Sequence, residues 1–406
     1  MTPRRFLSVR TLAAVLAAAA LSLSLTAVPA QAAAAAAISL SPASGPEGTT
    51  VSVTGTGFPK KGSGILSAGS TSTSFKVGAS GSFTAAVVIP ATTQATLTVR
   101  ADVGTVSAAA VFTVTAKPAL STAPLRFGVA TPGGPLAGAE LDQVAAVAGE
   151  SPSVILSYKD FNQAPPLSEL DAVRARGAVT LLTWEPWTWG GGTVQPAYSL
   201  QRITAGDFDA YLRQWGSALG AWGHPVMLRF GHEMNGNWYP WAEGINGNGP
   251  GDYAAAWRHV HDVVAATGAA NVSWVWSPNV PYPGSTALDG LFPGAGYVDA
   301  VALDGYNWGT STATGSWVMP SDLFGSGLAE LRRLAPGVPI LVAETASAEQ
   351  GGSKADWNTA LVGYLASQPD VTALVWFDLN KETDWRIDSS AASAAALKAA
   401  LAARAK

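Results

Sequence analysis

From Arg126 onward, short apolar runs alternate with longer stretches of helical periodicity, and no other feature restricts the fold as much. Eight runs read as strands: 126–130, 153–158, 179–184, 226–233, 271–277, 298–306, 339–345 and 371–378. Helical patterns over 205–222, 252–267, 321–334, 354–367 and 391–405 fall between or after them. Repeated strand–helix units of this number predict an α/β fold, a (β/α)8 barrel over 125–406. A doubly wound open sheet is the competing architecture. It would want a glycine-rich phosphate loop after an early strand, and neither Gly133-Gly134 nor Gly190-Gly191-Gly192 makes one.

The first part of the chain reads differently. Residues 1–32 combine Arg4, Arg5 and Arg10 with an apolar Ala/Leu run and a small-x-small site at Ala30-Gln31-Ala32. This is the pattern of a signal peptide, so the mature protein is expected to be secreted and extracellular, with no membrane span. Arg4-Arg5 would suit twin-arginine export, although the general secretory route is favoured. Residues 38–116 are rich in Thr, Ser, Val, Gly and Ala, with period-two runs broken by turn residues. They predict a small all-β immunoglobulin-like sandwich. The wording "SPASGPEGTTVSVTGTGF" at 41–58 resembles the IPT/TIG family. This stretch has no Trp or Tyr, so a spacer or surface-contact role is expected over sugar stacking. Residues 117–124 read as a linker.

Charge and composition narrow the partners. A formal net charge of −4 argues against nucleic acid. The absence of cysteine removes disulfides, thiol catalysis and Cys-ligated zinc. Four histidines without metal-ligand spacing, and no Gly-x-Ser-x-Gly elbow, leave metal and Ser-His-Asp chemistry without support. No metal and no cofactor are expected, and the protein is expected to act as a monomer.

The strand ends are where a barrel keeps its chemistry. Here they carry Trp184-Glu185-Pro186-Trp187, His232-Glu233-Met234-Asn235, Asp304-Gly305-Tyr306, Glu344-Thr345 and Trp376-Phe377-Asp378. All fifteen tryptophans fall between Trp184 and Trp385. Indole faces stack on the apolar faces of pyranose rings, and carboxylates, Asn and Arg bind the hydroxyl edges. A polysaccharide partner follows. Alternation puts Arg229 and Glu233 on one face, Ile340, Val342 and Glu344 on another, and pairs Trp376 with Asp378 and Asp304 with Tyr306. Five carboxylates therefore crowd the rim: Glu185, Glu233, Asp304, Glu344 and Asp378. Cleaving a glycosidic bond takes two of them, and spacing alone does not choose the pair.

The segment from Arg229 to Trp238, "RFGHEMNGNW", resembles the acid/base motif of glycoside hydrolase family 26, and Val342-Ala343-Glu344-Thr345 resembles its nucleophile strand. The likeness runs over most of 126–388, including "ALDGYNWG" at 302–309. It implies a (β/α)8 barrel that hydrolyses β-glycans with retention. Glu233 would be the acid/base and Glu344 the nucleophile. Arg229, His232, Asn235, Trp238 and Tyr306 would bind substrate or hold the acids, with Trp376 as a sugar platform. Most members are endo-β-1,4-mannanases, so the resemblance implies a β-1,4-mannan-type polysaccharide as the expected substrate; others cleave mixed-linkage β-1,3-1,4-glucan or β-1,3-xylan. At the third strand many mannanases carry a histidine where this chain has Trp184-Glu185, which keeps a β-glucanase open. A non-catalytic glycan-binding barrel is the alternative from another class.

Overall fold

The eight expected strands close into one parallel barrel. In this computed structural model, residues 35–45, 49–90, 92, 94–114 and 125–404 are described. The expected signal peptide and the 117–124 linker lie outside the described residues. The barrel consists of β9 (Arg126–Ala130), β10 (Val154–Asp160), β11 (Val179–Glu185), β12 (Val226–Phe230), β13 (Val272–Trp276), β14 (Ala300–Asn307), β15 (Ile340–Ser347) and β16 (Val371–Phe377). These run β10 through β16 in order, and β9 closes the ring.

Eight helices pack around it: α1 (Gly138–Ala148), α2 (Leu167–Ala175), α3 (Leu200–Thr204), α4 (Asp209–Trp222), α5 (Asp252–Ala265), α6 (Pro320–Leu334), α7 (Lys354–Ala366) and α8 (Ala391–Ala403). The expected helix over 205–222 is split. Gly206 adopts φ 91°, a left-handed conformation that interrupts the helix between α3 and α4. No α-helix joins β13 to β14. That segment holds Pro278, Pro281, Pro283 and Pro293 among several glycines and makes only 3-10 turns.

Outward-facing aromatics form much of the strand–helix layer. Trp184 of β11 stacks on Trp215 of α4 at 4.5 Å, and Trp376 of β16 meets Trp357 of α7 edge-on at 6.2 Å. Each ring of this kind buries roughly 150–250 Å² and stabilises by about 4–6 kcal/mol at most.

Ahead of the barrel, β1 (Ala37–Ser41), β2 (Ser44–Gly45), β3 (Thr50–Thr56), β4 (Ser63–Ala68), β5 (Thr71–Lys76), β6 (Phe83–Val88), β7 (Thr96–Val103) and β8 (Val106–Val114) form two sheets. Their orders are β1-β3-β6 and β2-β8-β7-β4-β5. Val51, Val53, Leu66, Val99 and Phe112 fill the space between them, and all four Phe residues of this part are buried. Ser41 donates to Asp262 of α5 at 2.6 Å and bonds Tyr297 at 3.0 Å. This contact sits where the chain enters β14, away from the strand C-termini.

Candidate active site

The site begins with β12. Leu228 and Phe230 point outward, and Phe230 meets Trp257 of α5. Arg229 points inward and is fully buried. The strand stops at Phe230, short of the expected 226–233. Gly231 (φ 49°) and Glu233 (φ 53°) then take left-handed conformations. For a residue with a side chain this costs on the order of 1–2 kcal/mol, and such strain persists where surrounding contacts enforce it. Here the Glu233 N–H donates to the Ser277 carbonyl at 2.8 Å. The turn, and not simple alternation, brings the Glu233 carboxyl to the mouth. Its Oε2 accepts from Trp238 Nε1 and its Oε1 from Asn279 Nδ2, each at 2.7 Å. Asn235 in turn grips the Asn279 backbone through both ends of its amide, at 2.9 Å each.

Glu344 arrives from β15. Pairing with β14 runs Leu303 to Val342 and then Asp304 to Glu344, so a bulge passes over Ala343. Bulges next to active sites re-aim side chains, and this one sets Asp304 opposite Glu344. Arg229 ties the two together. Its Nη1 donates to both oxygens of Asp304 at 2.9 and 2.7 Å, its Nη2 donates to Glu344 Oε1, and its Nε donates to Thr183 at 2.8 Å. Ser277 adds a donor to Asp304 at 3.0 Å, and the Tyr306 hydroxyl donates to Glu344 Oε2 at 2.7 Å. Both oxygens of Glu344 therefore accept hydrogen bonds from fixed donors, as a carboxylate requires.

The buried groups around the mouth are perturbed in different directions. Burial, and next the charge of Glu344, push the Glu233 carboxyl up to about 7 despite its bonds from Asn279 and Trp238. Burial works against the charge of Arg229, but Asp304 and then Glu344 more than offset it and favour the charged guanidinium. Burial and then Arg229 hold His232 well below the usual imidazole range, so it is neutral. Its Nε2 meets the Tyr239 hydroxyl at 3.1 Å. Burial also pushes the Glu185 carboxyl up to about 7, against the indole donors of Trp189 and Trp187. By spacing, His232, Asp304 and Glu344 could hold a metal ion, with ligand atoms within 4.8 Å. The Arg229 guanidinium already bonds both carboxylates there.

Most of the expected site residues converge: Glu233, Glu344, Arg229, His232, Asn235, Trp238, Tyr306 and Glu185. Asn235 acts through Asn279 and not on the cleft directly. Trp184 and Trp376 do not join them. Trp184 is fully buried against α4, and Trp376 is fully buried beside α7 with its indole donating to the Trp385 carbonyl. Their neighbours Glu185 and Phe377 occupy the inward positions, and Phe377 meets Tyr306 edge-on at 5.7 Å. Asp378 turns away to accept from the Ile387 N–H. The open aromatic surface is elsewhere. Trp238 is 37% exposed and stacks on Tyr282 at 6.0 Å, and Trp189 is 45% exposed. Asn279, Tyr282, Trp189 and Tyr158 were not anticipated as site residues. The Pro278-Asn279 end of the fifth strand was the available signal for the first.

Residues 203–361, which carry Arg229, Glu233, Asp304 and Glu344, match the family described as Glycosyl hydrolase family 26. Over 247 residues the chain is 41% identical to Endoglucanase H of Acetivibrio thermocellus, covering 60% of this chain and 26% of that protein. Over 90 residues it is 40% identical to Mannan endo-1,4-beta-mannosidase A and B of Caldalkalibacillus mannanilyticus, covering 21% of this chain and 17% of that one. The chain thus spans about a quarter or less of these relatives' length. Among solved structures, the catalytic domain of the Bacillus sp. JAMB-750 GH26 endo-beta-1,4-mannanase superposes with a TM-score of 0.52 at 19% identity, over 68% of this chain and 85% of that one. The segment that carries the two rim glutamates is therefore similar to glycosyl hydrolase family 26, and the barrel around it has the fold of that mannanase catalytic domain.

Proposed function

We propose that this protein is a secreted, retaining endo-β-glycanase in which Glu233 is the acid/base and Glu344 the nucleophile. One observation carries the reading: the two glutamates at the rim sit in opposite settings. Glu233 is buried and raised to about 7, whereas Glu344 takes donors from Arg229 and Tyr306 on both oxygens. An acid that keeps its proton beside a carboxylate held as an acceptor is the division of labour that double displacement needs. Glu344 attacks the anomeric carbon, the glycosidic C–O bond breaks, and the Glu233 proton goes to the leaving oxygen. The ester then removes the negative charge that, after burial, contributed to raising Glu233. Its pKa falls, it accepts a proton from water, and the hydroxide formed releases Glu344.

For substrate, the long likeness to an endoglucanase supports a β-glucan first, including mixed β-1,3-1,4 linkages. The shorter likeness to mannosidases supports β-1,4-mannan second, ahead of β-1,3-xylan. Reducing-sugar release from barley β-glucan, mannan and β-1,3-xylan tests this. Release from at least one is expected, and binding without release from any would support a non-catalytic glycan-binding barrel. The 38–116 sandwich, read as an IPT/TIG-type module, serves as a spacer or surface contact. Removing 33–118 should leave hydrolysis of soluble glycan unchanged.

The pH dependence follows from Glu233. Its proton is present below about 7 and lost above, so kcat/KM should fall about tenfold per pH unit on the alkaline side. Asn279 donates to the charged form and holds the value down. Asn279→Ala should therefore move the alkaline limb upward. A downward shift, or none, would place the limb on another group such as Glu185.

A further inference from the structure

Outside the cleft, one lysine is buried where its place in the chain does not favour a charge. Lys354 is 1% exposed and is the first residue of α7. The N-terminus of a helix is its positive end, so an ammonium is disfavoured there. A buried ammonium also loses its hydration and needs oxygens to replace it. Lys354 Nζ takes them from one loop, 378–390, between β16 and α8. It donates to the Arg386 carbonyl at 2.7 Å, the Ser389 hydroxyl at 2.8 Å and the Asp384 carbonyl at 3.4 Å. Ser389 in turn donates to Glu349 Oε1 at 2.7 Å, which also accepts from Ser393 at 2.8 Å. Burial pushes the lysine down to about 8, against the pull of Glu349, Asp384 and Asp378, so it is charged at neutral pH.

Between the two gripped carbonyls sits Trp385, itself 1% exposed. Its own carbonyl accepts from Trp376 Nε1 at 2.8 Å, and Lys354 Nζ lies 5.7 Å from the centre of the Trp376 ring. Three successive carbonyls, 384 to 386, are thus drawn onto one ammonium and one indole N–H. The Trp385 ring lies 5.1 Å from the Tyr306 ring and meets Trp308 edge-on at 4.9 Å. Tyr306 is therefore packed by Trp385 as well as by Phe377, and its hydroxyl is the donor to Glu344 Oε2. A hydrogen bond to a carboxylate keeps its geometry only if the donor ring is locked by packing. The contacts are continuous from Lys354 through the 384–386 turn and Trp385 to Tyr306 and Glu344.

We propose that Lys354 is a positioning residue for the reaction: its ammonium clamps the 384–389 turn, the turn seats Trp385 against Tyr306, and Tyr306 so held aims Glu344. This rests on the β-glycanase reading and adds to it a residue that touches neither the sugar nor Glu344. The clamp does for the loop what a bound cation does elsewhere, gathering carbonyl oxygens around one positive charge. It also accounts for a lysine at the disfavoured end of a helix, since α7 begins beside the loop that carries Trp385.

The test is a double-mutant cycle in the full chain, with Lys354→Met, Tyr306→Phe and the two combined. Methionine keeps most of the buried stem and suits a helix, so the ammonium is the main loss. kcat/KM is measured on the soluble glycan that the substrate panel identifies. Tyr306→Phe should cost about 10²-fold, the worth of a hydrogen bond to a charged group. Lys354→Met should cost about tenfold in the wild-type background. In the Tyr306→Phe background it should cost about twofold or less, because the bond it serves is already gone. A merely structural lysine would cost the same in both backgrounds. If Lys354→Met does not fold, Ser389→Ala removes one oxygen of the clamp and carries the same comparison. Equal losses in the two backgrounds, a folded Lys354→Met with wild-type kcat/KM, or a Tyr306→Phe as active as wild type would overturn the clamp alone. A wild type that cleaves no glycan would overturn the β-glycanase reading and the clamp with it.

Discussion

Glu344→Ala is expected to lower hydrolysis by about 10⁴-fold or more, because it removes the covalent route and leaves only positioning and the acid. The fold should survive. Glu344 is held by Arg229 and Tyr306 at the rim, and Arg229 keeps its paired bonds to Asp304 in the variant. Azide should restore turnover of a substrate with a good leaving group. It would enter the space left by the carboxylate and attack the anomeric carbon from the same face, while Glu233 protonates the departing oxygen. A C–N bond forms as the C–O bond breaks, and the product is the inverted α-glycosyl azide. Glu233→Ala gives the opposite signature. Its first step survives with activated leaving groups, and azide opens the glycosyl-enzyme to a β-glycosyl azide. Product stereochemistry thus assigns the two roles, and an active Glu344→Ala without added azide would falsify the assignment.

Arg229→Met should be the most damaging single change to stability in the site. Arg229 is fully buried, and its guanidinium spans Asp304, Glu344 and Thr183. Removing one partner from a buried charge network leaves the others uncompensated and costs about 3–5 kcal/mol. The unfolding midpoint in urea should fall accordingly, and activity should fall with it, because Glu344 loses a donor. Arg229→Lys should recover little. An ammonium is a single point and cannot reproduce the fork that reaches two carboxylates at once. A variant with the wild-type midpoint would mean that Asp304 takes up a proton at no measurable cost.

The barrel was legible because each strand is a short apolar run bounded by turn residues, and the alternation with helices admits few closures. β9 matches its expected bounds, and the other barrel strands shift by a few residues at most. Arg229 was legible from alternation because β12 is regular up to Phe230. Trp184 and Trp376 were misplaced by ranking them as strand-end residues. The same alternation that places Thr183 and Glu185 inward sends Trp184 to α4. Two features could not have been read from spacing. The left-handed turn at Gly231 and Glu233 is enforced by a bond to Ser277, just past the end of the next strand. The bulge at Ala343 is a property of the pairing between β14 and β15. Both aim one of the two rim glutamates, and both depend on partners distant in sequence. Asn279 is of the same kind, since its amide matters only once β13 lies beside the turn that carries Glu233.

The central claim is that Glu344 forms a covalent bond to the sugar, and a trapped intermediate tests it most directly. A 2-deoxy-2-fluoro disaccharide of the sugar that is cleaved, with a dinitrophenol leaving group, slows both steps while the first still proceeds. Intact-mass analysis should show a single glycosyl adduct, and peptide mapping should place it on Glu344. An adduct on Glu185 or Glu233, or hydrolysis that gives an inverted product without any adduct, would contradict the account.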